Sequence, residues 1–334
     1  MLQGKELILA TKAFAKEHRS RSWYVTISTA ILLIAAIVGA VATIPLILRI
    51  GCSLLATLLQ VRMFVIYHDF LHFTILKGSS LAKPIFSFFG MYTLNPPSIW
   101  KRSHDHHHKH NSKLHTSSIG SFPIMTKEKF LQVSKSERKL YLFSRHPLTI
   151  AAGYFTVFVW GMTLRSLIKN PAKHWDSAVA LILHYGIGIG ILLGFGWLSF
   201  FLGFFLPTFL SSAFGAYLFY AQHNFPTATF FDKEGWSYIG AALESSSHMK
   251  MSMPMRWFTG NIGYHHIHHT NARIPFYRLP EVYGEFPEFQ QAKTTSLHPK
   301  DIHACFQLKL WDPEKGRMIS LKEIKEPAGL VQHV

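Results

Sequence analysis

Residues 177–220 read SAVALILHYGIGIGILLGFGWLSFFLGFFLPTFLSSAFGAYLFY, 44 residues without one Asp, Glu, Lys or Arg. A helix that crosses a membrane needs roughly 20 apolar residues. This run is long enough for two, joined by a tight turn near Gly194 to Phe200. Working outward, Trp23 to Thr43 and Leu46 to Tyr67 also qualify, the second carrying Arg49 near its start and Arg62 near its end. Leu148 to Ile168 is apolar but contains Arg165, and Ala82 to Thr93 is too short to cross. The expected fold is an all-α membrane protein with four transmembrane helices as two hairpins, interfacial helices and a cytoplasmic histidine-rich cap. The whole of 1–334 reads as one integral-membrane unit. It comprises a basic leader (1–22), transmembrane and interfacial helices (23–225), and a cap with tail (226–334). Ala40-Val41-Ala42 resembles a signal cleavage site, but the apolar region is longer than a signal's, so the segment reads as a retained span.

Lysine and arginine outnumber aspartate and glutamate by 34 to 18, a net charge of +16. The basic residues flank apolar segments and form no patch with a domain of its own. That suits anionic lipid head groups and acidic protein partners, and it argues against nucleic acid. Cys52 and Cys305 are the only cysteines, so neither a disulfide framework nor a thiolate metal site can be built. The leader holds Lys5, Lys12, Lys16, Arg19 and Arg21, the first connection only Arg49, and the turn near residue 196 no cation. The N-terminus and the histidine-rich segments are therefore expected on the cytoplasmic side. Ligands of one metal site must share a side, so Leu148 to Ile168 is expected to lie in the interface or to dip in and return.

Histidines recur at ligand spacing. His68 and His72 are four apart where the second span ends, which puts both imidazoles on one helix face. Alone, such a pair is most often structural. His104, His107 and His108 follow at i, i+3, i+4, and His265, His268 and His269 repeat that spacing. Asn111 and Asn261 are expected on the same helix faces and are candidate supports, as is Asp69, whereas His106, His110 and His266 point away. His223 emerges from the fourth span at the same level. His184 reads as structural, and His18, His115, His146, His174, His248, His298, His303 and His333 as surface or unassigned. Neutral imidazole ligates zinc, copper, iron and nickel without a buried negative charge. Nine converging histidines are too many for one ion and suit two. Zinc hydrolysis, with Asp69 or Glu244 as base, does not account for so many ligands lying against the membrane. Redox iron does, if the target is an unactivated C–H bond, and no separate side-chain base is then assigned.

These motifs resemble the membrane-bound fatty acid desaturase family of acyl-lipid type. Its three histidine boxes match His68/His72, His104/His107/His108 and His265/His268/His269, and the likeness extends through Trp100 and through GNIGYHHIHHTNARIPFYRLP at 260–280. The resemblance implies a centre of two iron ions on those eight histidines, with His223 matching an additional ligand. It also implies a tunnel for an acyl-lipid substrate, use of O2, and two electrons from an external carrier of ferredoxin or cytochrome b5 type. One departure is bulk in the first box, where Phe70, Leu71 and Phe73 replace small residues and would sit beside the metals. The same boxes also fit a hydroxylase or ketolase acting on an alkyl, sterol or carotenoid substrate, and a membrane metal-binding protein without turnover. Arg62, Lys101, Arg102, Arg256 and Arg273 are candidate contacts for the substrate or the donor.

Overall fold

The computed structural model describes residue 2 and residues 4–114 and 120–324. Two long helices, α1 (Arg19–Val41) and α2 (Leu46–Leu71), precede the shorter α3 (Ala82–Tyr92) and α4 (Pro97–His110). Then come α5 (Trp175–Phe200), a π-helical link Phe201–Phe205, α6 (Leu206–Ala221) and α7 (His265–Thr270). Among the described residues, α1, α2 and the run Trp175–Ala221 are long and apolar enough to cross a membrane.

The faces of these helices say what solvates them. In α1, Tyr24, Ile27, Ile31, Ile34 and Val38 are exposed, whereas Ser22, Thr26, Thr29, Ala36 and Ala40 are buried. Apart from the buried Val25 and Leu33, the inward residues are small or hydroxyl-bearing while large apolar side chains point outward, the reverse of a helix in water. So long an apolar face is solvated by lipid, and this is a membrane protein. Small inward residues let the backbones close up: a Cβ on Gly39 would sit 2.6 Å from Cys52 Sγ of α2.

The run Trp175–Ala221 is bent sharply. Gly196 takes φ 80°, a conformation open to glycine, and interrupts the helix. Beyond it the chain doubles back, so that the Phe204 ring lies 4.8 Å from His184. A straight helix would hold these two residues about 30 Å apart. The turn expected near Gly194 to Phe200 thus falls at Gly196. Arg49 ties this reversal to the α1–α2 connection, donating from Nε to the Ala40 carbonyl at 2.9 Å and from Nη2 to Ser199 Oγ at 2.8 Å. Both connections therefore lie at one end of the bundle, and the histidines gather at the other.

Leu148 to Ile168 falls on helices Pro147–Ala151, Tyr154–Leu164 and Arg165–Lys169. It packs across α5 and α6, with the Tyr154 hydroxyl 2.8 Å from His184 Nε2 and the Phe155 ring against Phe205 and Phe209. Both its flanks return to the histidine end: Arg145 bonds Asn224, and His174 bonds Ser98 and Arg102 of α4. The cap is not purely helical. Met125–Thr126 pairs with Leu310–Asp312, which pairs with Arg317–Ile319, and His248–Lys250 runs parallel to Thr294–Ser296. Strands of two or three residues carry too little alternation to be read from sequence. The fold is mostly helical, and the all-α expectation gives way in the cap and at Met125–Thr126, the strand that joins its sheet.

Candidate metal centre

Four segments deliver imidazoles to one place. His68 lies in the last turn of α2 and His72 caps that helix. Pro97 starts α4, the helix carrying His104, His107 and His108, and its fixed φ suits a first helical turn. His223 follows the end of α6, and α7 holds His265, His268 and His269. Eight of these nine lie in helices or at their caps, so their directions are fixed by backbone geometry.

The nine sort into two pockets: His68, His72, His104, His108 and His268 in one, and His107, His223, His265 and His269 in the other, with the nitrogens of each group within 4.8 Å of one another. The i, i+4 pair of each three-histidine box enters one pocket and the i+3 member crosses to the other. At 100° per residue, His107 and His108 diverge too far to serve one ion. The expectation that each box converges on a single side is thus refined to a two-plus-one split. The pockets share a wall, where the His108 and His269 rings stack 4.3 Å apart.

In the four-nitrogen pocket the Nε2 atoms close a ring, at 3.1 Å for His107–His223, 2.9 Å for His223–His265, 3.2 Å for His265–His269 and 3.2 Å for His269–His107. In the five-nitrogen pocket His104 Nε2 lies 3.0 Å from both His68 and His108, and His108 lies 3.1 Å from His268. Ligands at right angles on bonds of about 2.1 Å sit about 3.0 Å apart, and tetrahedral ones about 3.4 Å. The observed spacing fits the right-angled set. A square with edges of about 3.1 Å has its corners about 2.2 Å from its centre, which is metal–nitrogen bonding range.

Protonation supports the same fit. His223 Nδ1 faces the Ser245 carbonyl at 3.0 Å and must donate its hydrogen there, which leaves a bare lone pair on Nε2. His68 Nδ1 likewise donates to Asp69 Oδ1 at 3.0 Å. One bare lone pair is thus directed into each pocket, which suits a cation. Burial, reinforced by neighbouring imidazoles, holds His72, His104, His107, His108, His265, His268 and His269 well below the usual histidine range. Burial pushes His223 down to about 4. All are neutral at pH 7, the ligating form.

The supporting residues vary in how directly they act. Asp69 holds His68 and also accepts from the Phe276 backbone N–H at 2.7 Å. Asn261 donates to the Phe276 carbonyl at 3.2 Å. It stands before α7 with φ 55°, so the expected extra turn on the same helix face does not form. Asn111 donates to the Ala241 carbonyl and to Ser246 Oγ, next to the Ser245 carbonyl that orients His223. Ser121 Oγ, 2.6 Å from His107 Nδ1, gave no sequence signal: it lies in a loop outside every periodic pattern. Trp100 stacks on His104 at 4.4 Å.

The proposed contact residues are mostly occupied within the fold. Arg62 donates to Thr29 Oγ1 and to the Trp257 carbonyl and stacks on the Trp257 ring, a clasp between α1, α2 and the cap. Lys101 pairs with Asp105, Arg102 bonds His174, and Arg256 bonds Tyr264. Arg273 is exposed. Phe70 stacks on Phe86, and Phe73 is exposed beneath Lys101, so this bulk turns away from the imidazoles. His106 and His110 stack on each other, off the pockets. His266 is buried against the Phe289 carbonyl, and His184 between Tyr92 and Tyr154. His18, His146, His298 and His303 are exposed. His174 is instead buried, and His248 packs on Tyr264 and Tyr283. His115 and His333 lie outside the described residues.

A helical bundle with a lipid-facing surface and paired polyhistidine pockets at one end defines a class, membrane proteins whose histidines could hold metal beside lipid. A family model described as fatty acid desaturase matches residues 44–299, an interval that contains all nine histidines. A fatty acid desaturase of Bacillus subtilis (strain 168) is 30% identical over 289 residues, covering 83% of this chain and 79% of that protein. An sn-1 oleoyl-lipid 12-desaturase of Anabaena variabilis is 26% identical over 231 residues, covering 67% of this chain and 65% of that protein. The chain belongs to the fatty acid desaturase family and is a lipid-modifying oxidoreductase.

Proposed function

We infer that this protein is an O2-dependent desaturase that introduces a double bond into the acyl chain of a membrane lipid, using two iron ions held by the nine histidines. The observation that carries this reading is the convergence of nine neutral imidazoles in two adjoining pockets with right-angled spacing. Iron suits that spacing better than tetrahedral zinc, and the chemistry needs a redox metal because the target C–H bond is unactivated. The Anabaena relative, an sn-1 oleoyl-lipid 12-desaturase, supports an acyl lipid as substrate. We further propose that α1, α2, α5 and α6 each cross the bilayer. The concentration of cations in the leader supports a cytoplasmic side for the histidine end. There an external one-electron carrier of ferredoxin or cytochrome b5 type reaches it.

Removing two hydrogens from the chain with O2, two electrons and two protons yields the alkene and two waters. Bound iron would supply O2 activation and one-electron chemistry. The chain's own residues supply position. Asp69, Ser121 and the Ser245 carbonyl fix ring orientation and keep the Nδ1 hydrogen in place. The Trp100 and Phe219 rings, packed on His104 and His107, exclude water from that face.

Lipid profiling in a host that makes only saturated and monounsaturated acyl chains tests the reading, with 18O2 as oxidant. Expected is a new unlabelled double bond that depends on the protein. A hydroxylated product carrying the label contradicts it.

A further inference from the structure

A cavity of about 20 Å³ adjoins the four-nitrogen pocket, lined by His223, Ser121, Ser112, Arg145, Tyr220 and Asn224 among others. That is room for one water-sized occupant. Arg145 is fully buried. Its guanidinium meets only uncharged partners: Nη1 donates to the Pro123 carbonyl at 2.8 Å, Nη2 to Asn224 Oδ1, the Tyr220 hydroxyl and the Leu308 carbonyl, and the group lies over the Tyr220 and Tyr141 rings at 5.1 and 5.7 Å. Its Nε has no hydrogen-bond partner, and among the described residues no carboxylate pairs with it. Asp312, the buried carboxylate of the cap, is engaged by Lys127 and Lys315. A neighbouring charge has the same sign as Arg145: Lys309 Nζ donates to the Arg145 carbonyl at 2.7 Å, and burial together with that guanidinium pushes Lys309 down to about 8.

A buried cation without a counter-charge is strongly disfavoured. The cavity also presents donors. Ser112 Oγ is buried without a partner. Where His107 uses Nε2 as a ligand, its Nδ1–H donates to Ser121 Oγ and leaves that hydroxyl's own proton free. The Ser121 donor rests on the metal reading above, whereas Arg145 and Ser112 stand without it. We propose that this cavity binds one small monovalent inorganic anion of chloride size, held by Arg145, Ser112 and Ser121 beside the His107/His223 pocket. A water molecule would satisfy the same donors and leave the Arg145 charge unbalanced. An anion does both, and it also offsets the charge of an adjacent metal whose own ligands are neutral.

The test uses full-length protein in detergent with its metal content as purified, its thermal midpoint followed against bromide at ionic strength held constant with gluconate. Bromide should raise the midpoint saturably, by about 3 °C. Ser112→Ala should raise the half-saturating bromide concentration about tenfold. Arg145→Leu should abolish the response, and Ser112→Ala decides the matter if Arg145→Leu does not fold. Crystals grown in bromide should give an anomalous peak within hydrogen-bond reach of Arg145 Nε. Equal midpoints in both salts, a bromide response unchanged by Ser112→Ala, or a water without anomalous signal would overturn the proposal. Iron content measured on the same preparations separates the two readings. Iron without a bromide response defeats only the anion site, and a bromide response without iron defeats only the metal centre.

Discussion

The two histidine pockets use one kind of ligand in different surroundings. In the four-nitrogen pocket every Nε2 has two neighbours within 3.2 Å, and the rings are steered by uncharged oxygens, Ser121 Oγ and the Ser245 carbonyl. In the five-nitrogen pocket a carboxylate, Asp69, steers His68, and His72 Nε2 is buried without a hydrogen-bond partner. A carboxylate on Nδ1 raises the basicity of the ligating nitrogen. With Asp69 ionised, as a cation bound to His68 would favour, two ions placed here would be inequivalent, the one beside Asp69 facing the more electron-rich imidazole.

His107→Ala opens the closed ring and is the harshest test of that contrast. Turnover measured by lipid chromatography should fall more than about 100-fold, since loss of a ligand exceeds the 10–100-fold typical of a supporting residue. The protein should still fractionate with membranes. Asp69→Asn should reduce turnover roughly 10–100-fold and lower iron content. Ser121→Ala, which removes only a neutral acceptor, should stay under about 10-fold. Equal losses for Asp69→Asn and Ser121→Ala would erase the distinction between the pockets.

The two smaller effects fall on stability. Burial holds His223 near 4 and His266 near 3, against 6.5 for an unperturbed histidine. As pH falls below about 6.5 the unfolded chain takes up protons that the fold refuses, so metal-free protein loses stability from there down toward pH 4. The thermal midpoint of chelated protein should accordingly be flat above pH 7 and drop between pH 6 and 5. His184→Ala removes the bonds to Tyr154 and the Tyr92 carbonyl. It should destabilise by about 1–3 kcal/mol, read as a lower thermal midpoint with iron content unchanged.

The bundle was legible because span length and charge placement obey coarse rules: residues 177–220 announce themselves by lacking charge, and only the glycine that turns the run needed locating. The ligands were legible because helical spacing fixes side-chain direction. Their partition was not, because it depends on how α4 and α7 are rotated against each other, which is tertiary packing. Asn261 was misplaced for a related reason: extending helical spacing back from His265 assumes a helix, and the backbone there takes a left-handed turn. His174 and Arg62 looked like surface or contact groups, but their partners Arg102 and Trp257 lie 72 and 195 residues away in sequence.

The most direct test of the account is the metal content of purified full-length protein, measured by elemental analysis alongside His72→Ala and His223→Ala variants. Two iron ions per chain are predicted for the unaltered protein, with about one remaining when a ligand of a single pocket is removed. A chain that binds no transition metal, or holds one ion whose occupancy is lost equally in both variants, would contradict it.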